Sequence, residues 1–181
     1  MLKNYAVRWT TIPNPAIMSY DDYTDEDRSH VTIVKNMLYR HKKLNIRYIT
    51  YDMQEGEDRI YPKDHPGIMV LSPDRGHPYL YARVLDLFHI EVRNDAEDSR
   101  FGKDEKVHLE MVWVHWYKYD QQQEPSGFHS LRYPTISLCE DSYPDSYGLV
   151  HPDEIVRCVH LIPDFVSASA VDSYKRVQVN M

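Results

Sequence analysis

Apolar and polar positions alternate along much of this chain, in short runs that turn residues interrupt. In residues 79–92 the even positions are mainly apolar, whereas the odd positions include Arg83 and Glu91. A helix would place Arg83 and Asp86 beside buried neighbours, so the pattern predicts a long, half-buried strand. In residues 107–119 both parities are apolar and rich in branched and aromatic side chains, which predicts a strand covered on both faces.

Shorter apolar runs predict further strands in the first half of the chain. Residues 31–39 and 44–53, separated by the polar residues 40–43, have the pattern of a hairpin of two antiparallel strands. Residues 54–67 are rich in turn formers, and the apolar run 68–72 that follows them predicts a buried strand.

The second half contains two more predicted strands. Pro134 interrupts the run 128–138 and therefore predicts an edge or bulged position for it. Pro152 predicts a short helical turn over residues 152–156, before a last core strand over 157–163.

These elements predict a mainly β fold, either a small antiparallel barrel or a sandwich, with short helical turns. Residues 1–29 contain prolines and an acidic cluster, which predicts an extended N-terminal arm. We expect one β-rich domain over 30–166 and a C-terminal tail over 167–181 that could add a final strand. The predicted core residues are Val84, Phe88, Val112, Val114, Ile155, Val159 and Leu161.

Charge restricts the partners that the chain can bind. The formal net charge is -7, which argues against broad binding to a phosphate backbone. A local basic spot, formed by Arg40, Lys42, Lys43 and Arg47, allows a weak nucleic-acid contact, although a solvated hairpin turn has the same composition. The longest uncharged apolar runs are far shorter than the roughly 20 residues that cross a bilayer, so no membrane partner is expected.

The sequence contains no strong catalytic motif and predicts no cofactor. Cys139, Cys158 and His160 are the obvious metal donors, but their spacing does not match a zinc site. A core cysteine beside a partly exposed histidine is the alternative, and we expect both cysteines to be free thiols. Carboxylates are abundant in the loops, where solvated charge is the default and an acid–base pair the less favoured interpretation.

Aromatic side chains are the most distinctive feature, with 15 tyrosines and three tryptophans against four phenylalanines. Rings that end a strand beside a carboxylate can enclose a cationic group, so Trp116, Tyr117 and Tyr119 with Asp120 are the predicted ligand-binding residues. The alternative is that the rings fill the core, which we expect for Trp113. Alternation places Tyr117 and Tyr119 on one face and Trp116 on the other, so a shared cage requires the strand to twist or end near Lys118.

Several separate segments, in their order, resemble the tail of proteins that occur in many copies in mushroom-forming fungi, near or fused to Plavaka-type cut-and-paste transposases. The segments that carry this resemblance are 23–73, 77–92, 111–117, 126–128, 147–165 and 174–181. His115 and Tyr117 stand where that family usually has Arg and Phe, and the family usually continues beyond the equivalent of Met181. The resemblance implies a transposon-associated, intracellular and nuclear setting, and it assigns no catalytic residue.

A looser similarity links the chain to bromo-adjacent homology domains, which are β-rich chromatin modules. Trp116, Tyr117 and Tyr119 with Ile155 and Cys158 stand at the matching places. The resulting hypothesis is a non-enzymatic interaction module that binds a protein or peptide partner, including a peptide with a modified lysine. The alternatives are an accessory fragment of a metal-dependent, transposase-type enzyme and a structural plug that caps a larger protein.

Overall fold

The computed structural model describes residues 1–11, 23–64, 66–72, 77–119, 135–163 and 176–180. Within them the chain is mainly β, and all strand pairs are antiparallel, as the sequence predicts. The strands are β1 (Val31–Ile33), β2 (Tyr39–His41), β3 (Leu44–Ile49), β4 (Glu55–Ile60), β5 (Gly67–Leu71), β6 (Tyr79–Asn94), β7 (Val107–Tyr119), β8 (Thr135–Leu138), β9 (Tyr147–Val150), β10 (Ile155–Cys158), β11 (His160–Pro163) and β12 (Arg176–Asn180). The described residues also form two helices, α1 (Leu2–Thr10) and α2 (Asp25–His30). They include three short 3₁₀ turns, Val34–Asn36, Pro144–Ser146 and Pro152–Glu154.

One large sheet organises the molecule, in the order β10-β5-β6-β7-β8-β12-β11. Strands β1 and β2 also pair with β6, and β9 also pairs with β7, while β3 and β4 form a separate two-stranded sheet. Over the described residues these strands do not close into a barrel. Of the two predicted architectures, a sandwich-like arrangement therefore fits.

The long strands β6 and β7 form the centre of the sheet, and both were predicted from sequence. Their register shifts between Val84 and Asp86, which is a β-bulge. Because one extra residue reverses the alternation, Leu87 rather than Asp86 continues the face that Val84 begins. Phe88 consequently lies on the other face and is only half-buried.

Three apolar clusters cover the two faces of the β6–β7 pair. On one face, Val84, Leu87 and Val112 pack with residues from β3, β4 and β10. On the other face, Ile90 and Met111 pack against α1 at one end. At the opposite end of that same face, a further cluster contains Tyr81, Tyr117 and Ile136.

Most of the predicted core is confirmed. Five of the predicted residues are buried, and Phe88 and Leu161 are half-buried beside the clusters. The buried five are Val84, Val112, Val114, Ile155 and Val159.

The extended arm predicted for residues 1–29 is wrong for residues 2–10 and 25–29, which are helical. Leu2, Tyr5, Ala6 and Trp9 follow the helical spacing i, i+3, i+4, i+7, and this apolar face packs into the cluster at Ile90. Thr24 caps α2, since its hydroxyl accepts the Asp27 amide while the Asp27 carboxylate accepts the Thr24 amide. Residues 12–22 of the predicted arm lie outside the described residues.

Contacts from α1 to the C-terminal half hold this helix in place. The Arg8 guanidinium donates to the Glu154 carboxylate at 2.7 Å. The Trp9 ring stacks on the His151 ring with a centroid separation of 3.9 Å. The first helix is therefore part of the folded core.

The hairpin predicted from residues 31–53 is also wrong in its pairing. β2 pairs with β6, and β3 pairs with β4, which lies in the stretch predicted as turns. β4 alternates with period two, so that Ile60 points inward while Arg59 points to solvent, and this pattern suits a strand beside β3.

Two smaller expectations are corrected as well. β8 lies between β7 and β12 rather than at an edge, because Pro134 precedes the paired segment. The predicted last core strand is divided into β10 and β11, which have different partners, because β10 pairs with β5 and β11 pairs with β12. The 3₁₀ turn at Pro152–Glu154 agrees with the helical turn predicted there.

Candidate functional site

Trp116 lies on the face of β7 that packs toward β3, β4 and β10, and it is half-buried. Its indole covers Gly148 of the neighbouring strand β9. A methyl group in place of the Gly148 hydrogen would lie 2.6 Å from the Trp116 Nε1 atom. The position of this ring is therefore fixed by packing.

Tyr117 and Tyr119 lie on the opposite face of β7, in the cluster around Ile136. Only 7% of Tyr117 is exposed. The Tyr119 hydroxyl donates to the Tyr79 carbonyl oxygen at 2.8 Å and also contacts the His77 ring. Burial raises the pKa of Tyr119 far above its usual value, so this phenol stays protonated.

The structure does not bring the predicted binding residues onto one surface. Trp116 packs on one face of the sheet, and Tyr117 and Tyr119 pack on the other. Asp120 lies outside the described residues. Ligand binding at these four positions stays a prediction, and the geometry of the described three favours the alternative that they fill the core.

A different group of rings is exposed beside them. Trp113, expected in the core, is 39% exposed. The Tyr147 ring lies next to it, with centroids 6.2 Å apart, and stacks on the His115 ring at 4.5 Å. We call Trp113, His115 and Tyr147 the aromatic platform.

Strand pairing explains why these rings meet. His115 lies directly opposite Tyr147 in the β7–β9 register, and Trp113 is the diagonal neighbour on the same face. Gly148, between Tyr147 and Leu149, faces the other side, where the Trp116 indole occupies the space that a side chain would need. The two tryptophans of this strand region therefore have different roles, one packed and one presented to solvent.

A carboxylate closes one end of the aromatic platform. The Tyr147 hydroxyl donates to the Asp141 Oδ1 atom at 2.6 Å, and this hydrogen bond raises the pKa of Tyr147. The His115 Nε2 atom lies 2.8 Å from the Cys139 carbonyl oxygen, which can only accept, so Nε2 carries the hydrogen. Asp141 lies 3.7 Å from the same His115 nitrogen, and 79% of its side chain is exposed.

The loop that carries Asp141 is held by backbone contacts at both ends. The Cys139 amide donates to the Trp116 carbonyl at 3.0 Å, and the buried Ser146 hydroxyl donates to the Glu140 carbonyl. On this loop the Tyr143 ring lies 5.8 Å from the Lys118 ammonium. The surface beside the aromatic platform thus already places one lysine near a ring and a carboxylate, since Lys118 is also 3.8 Å from Glu140.

The basic spot is exposed but partly neutralised. Arg40 donates to Asp86 at 2.8 Å, and Arg47 lies opposite Glu57 in the β3–β4 register. Lys42 and Lys43 are exposed on the connection between β2 and β3. Nucleic-acid contact at this spot stays a prediction.

The cysteines, which the sequence predicts to be free thiols rather than metal ligands, lie apart in the structure. Cys139 and Cys158 are free thiols in different strands and loops, and burial raises the pKa of both. Over the ranges that the structure describes, no three His, Cys, Asp or Glu side chains are placed to hold a metal ion together. No helix in those ranges is long and apolar enough to cross a membrane.

Known proteins add no assignment to this geometry. A comparison with protein-family models, curated proteins and solved structures found no match. The resemblance to transposon-associated proteins and to bromo-adjacent homology domains therefore stays a prediction.

Three of the predicted binding residues and two residues of the aromatic platform share strand β7, but the sequence pattern did not indicate that Trp113 is exposed. Trp113 and His115 lie on the same face of β7 as Tyr117, because they are alternate residues of one strand. This alternation does not show which part of the face other elements cover. Tyr147 and Asp141 come from a segment more than 20 residues away along the chain, and only the β7–β9 register brings them to Trp113.

Proposed function

We propose that this chain is a non-enzymatic interaction module that binds a cationic side chain of a protein partner on the aromatic platform. The observation that carries the proposal is the exposed Trp113 ring beside Tyr147, whose hydroxyl is bonded to the exposed carboxylate of Asp141. Ring faces and a carboxylate are the two groups that attract an ammonium or guanidinium ion.

The shape of the surface limits the strength of binding. Trp113 and Tyr147 form an open surface rather than an enclosed cage, because their ring planes are inclined by only 41°. An exposed cation–π contact contributes about 0.5–1 kcal/mol, so two rings and one screened carboxylate support only weak, millimolar-range recognition of a single side chain. Useful affinity requires further contacts along the partner.

A partner with neighbouring basic residues fits this surface best. The exposed carboxylates Glu140 and Asp141 lie on the loop beside the rings. Lys118 lies near one of them, Glu140. The overall charge of -7 adds a long-range attraction for a basic segment. We therefore infer a Lys- or Arg-containing peptide, with a methylated lysine as one candidate.

The cellular setting is part of the same proposal. The resemblance to transposon-associated fungal proteins supports a nuclear, chromatin- or transposon-associated role, in which basic protein tails are abundant partners. The alternative, an accessory fragment of a metal-dependent transposase-type enzyme, predicts a rise of the melting temperature with divalent cations.

Peptide binding tests the proposal directly. A short basic peptide carries at one position lysine, trimethyllysine or the uncharged tert-butyl isostere of trimethyllysine, and binding is followed by amide chemical shifts. We expect both cations to shift the amides of Trp113, Tyr147 and Asp141, and the isostere to shift them much less, because it lacks the charge.

Matched variants separate recognition from folding. Trp113→Ala and Asp141→Asn should each weaken binding several-fold, whereas Tyr51→Ala, which removes a fully exposed ring between β3 and β4, should leave it unchanged. Equal binding of the charged peptides and the isostere, or equal losses in Trp113→Ala and Tyr51→Ala, would contradict the proposal.

A further inference from the structure

Three imidazoles lie side by side on one face of the large sheet, on strands β2, β6 and β7. His89 of β6 lies between the other two. Its Nδ1 atom is 2.6 Å from the Nε2 atom of His41, and its ring stacks on that of His108 with a centroid separation of 4.0 Å. The Tyr39 ring stacks on His89 as well, at 4.7 Å.

The bond between His41 and His89 needs at least one unprotonated nitrogen. One ring donates its N–H and the other accepts it, so the pair can share one added proton without losing the bond. A second proton leaves two N–H groups pointing at each other and two like charges in contact. Full protonation therefore removes the attraction and replaces it with repulsion.

The surroundings of His89 resist that protonation. Burial lowers the pKa of His89, and His108 and His41 lower it further by repulsion, while the carboxylates Glu91 of β6 and Glu110 of β7 partly offset this effect. On the β2 side, the charge of Arg40 is engaged with Asp86 at 2.8 Å. The neutral state of His89 is thus favoured near neutral pH.

Strand β2 is short and has few attachments to the sheet. It has three residues, Tyr39–His41, and over the described residues it pairs with β6 alone. Two of its three side chains, Tyr39 and His41, contact His89, and the third forms the ion pair with Asp86. Loss of the His41–His89 bond removes one of the three side-chain attachments of this strand.

We propose that the stack of His41, His89 and His108 is an acid-sensitive latch, which holds β2 on β6 when the rings are neutral and loosens it when they are protonated. His41 of the latch also borders a surface pocket of about 80 Å³, which has Leu87 and Val112 among its lining and Lys43 and Glu110 at its polar side. Release of β2 would widen the entrance to this pocket.

Nuclear magnetic resonance of the full chain tests the latch. The imidazole resonances and the hydrogen-exchange protection factors of the amides are followed from about pH 8 to about pH 5. We expect His89 to titrate below the ordinary histidine value of 6.5. Because the pKa of His89 is depressed in the folded state, the protection of β2 should be complete above the ordinary value of 6.5. The protection should be lost as the pH falls below that ordinary value.

Two variants identify the cause. His41→Gln removes the bonded partner and should bring the titration of His89 closer to the ordinary value while reducing the loss of β2 protection with acid. His108→Gln keeps the bond and removes one repelling neighbour, so the transition should shift to higher pH without disappearing. His160→Gln, at an exposed histidine of β11, is the control and should behave as the wild type.

Two results would contradict the proposed latch. Titration of His41 and His89 as independent groups near the ordinary value, with β2 protection factors that do not change across the range, would overturn the latch. A loss of β2 protection that is equal in the wild type and His41→Gln would overturn it too, because acid would then act elsewhere.

Discussion

At the scale of single residues, Gly148 decides where the Trp116 indole can lie. Replacement by Ala would place a methyl group 2.6 Å from the Trp116 Nε1 atom, so the ring or strand β9 must move. Overfilling of a packed site costs about 1–3 kcal/mol. We expect Gly148→Ala to lower the melting temperature and to change the tryptophan fluorescence.

Gly102→Ala is the matched control for this change. A methyl group at Gly102 would meet atoms no closer than 3.7 Å, which is ordinary contact. If the two variants had the same stability, the close approach of Trp116 to β9 would be contradicted.

At the scale of elements, one cluster fastens the β3–β4 sheet to β10. The Arg157 guanidinium lies 3.7 Å from the centre of the Tyr48 ring and donates to the Asp58 carboxylate at 2.8 Å. Asp58, whose side chain is only 13% exposed, also accepts the Cys158 amide. Gly56 leaves room for the Tyr48 ring, which a methyl group there would meet at 2.4 Å.

We expect Arg157→Ala to destabilise this junction by about 1–3 kcal/mol, because it leaves a mostly buried carboxylate with one partner fewer. Urea unfolding measures the change, and hydrogen exchange should show the loss of protection first in β3 and β4. Arg59→Ala removes an arginine from the exposed ion pair with Glu57 on the same sheet and should change little. Equal effects of the two variants would show that the cluster does not fasten the sheet.

The elements also show which features a sequence can and cannot predict. Strands β5, β6 and β7 were predictable because each is a run of β-prone residues bounded by turns, and local pattern alone defines such a run. The partner of β3 was not, because the choice between β2 and β4 depends on contacts such as Arg40 to Asp86, which join residues far apart in the chain. The helical spacing of Leu2, Tyr5, Ala6 and Trp9 was present in the sequence, but the adjacent proline-containing, acidic stretch obscured it.

The same distinction applies to the candidate site. Alternation correctly separated Trp116 from Tyr117 and Tyr119. Trp113 is exposed because neighbouring elements do not cover this part of β7. The local sequence pattern does not predict where that cover ends.

At the scale of the whole molecule, stability should fall with acid. Burial lowers the pKa of His151, more than the neighbouring Asp153 and Glu154 raise it. The unfolded chain therefore binds a proton more readily than the folded one, so this contribution is complete above the ordinary value of 6.5 and is lost as the pH falls below it. Protonation would also block the Nδ1 atom, which accepts the Asp153 amide.

Urea unfolding at about pH 7.5 and about pH 5.5 measures this loss. His151→Gln removes the titrating group, and we expect a smaller difference in unfolding free energy between the two conditions. His160→Gln should keep the full difference. An undiminished pH dependence in His151→Gln would assign the acid sensitivity to other groups.

The contacts of α1 with residues 151–154 also have a consequence for folding during synthesis, because these residues are far apart in the chain. Arg8 and Trp9 leave the ribosome before residues 151–154, and the ion-pair partner of Arg8 is 146 positions later in the chain. At 5–20 residues per second, Arg8 waits about 7–30 s for this partner, whereas most of the cluster that covers the apolar side of the helix, including Ile90, emerges earlier. The contacts of α1 are therefore complete only when the 3₁₀ turn at Pro152–Glu154 has emerged.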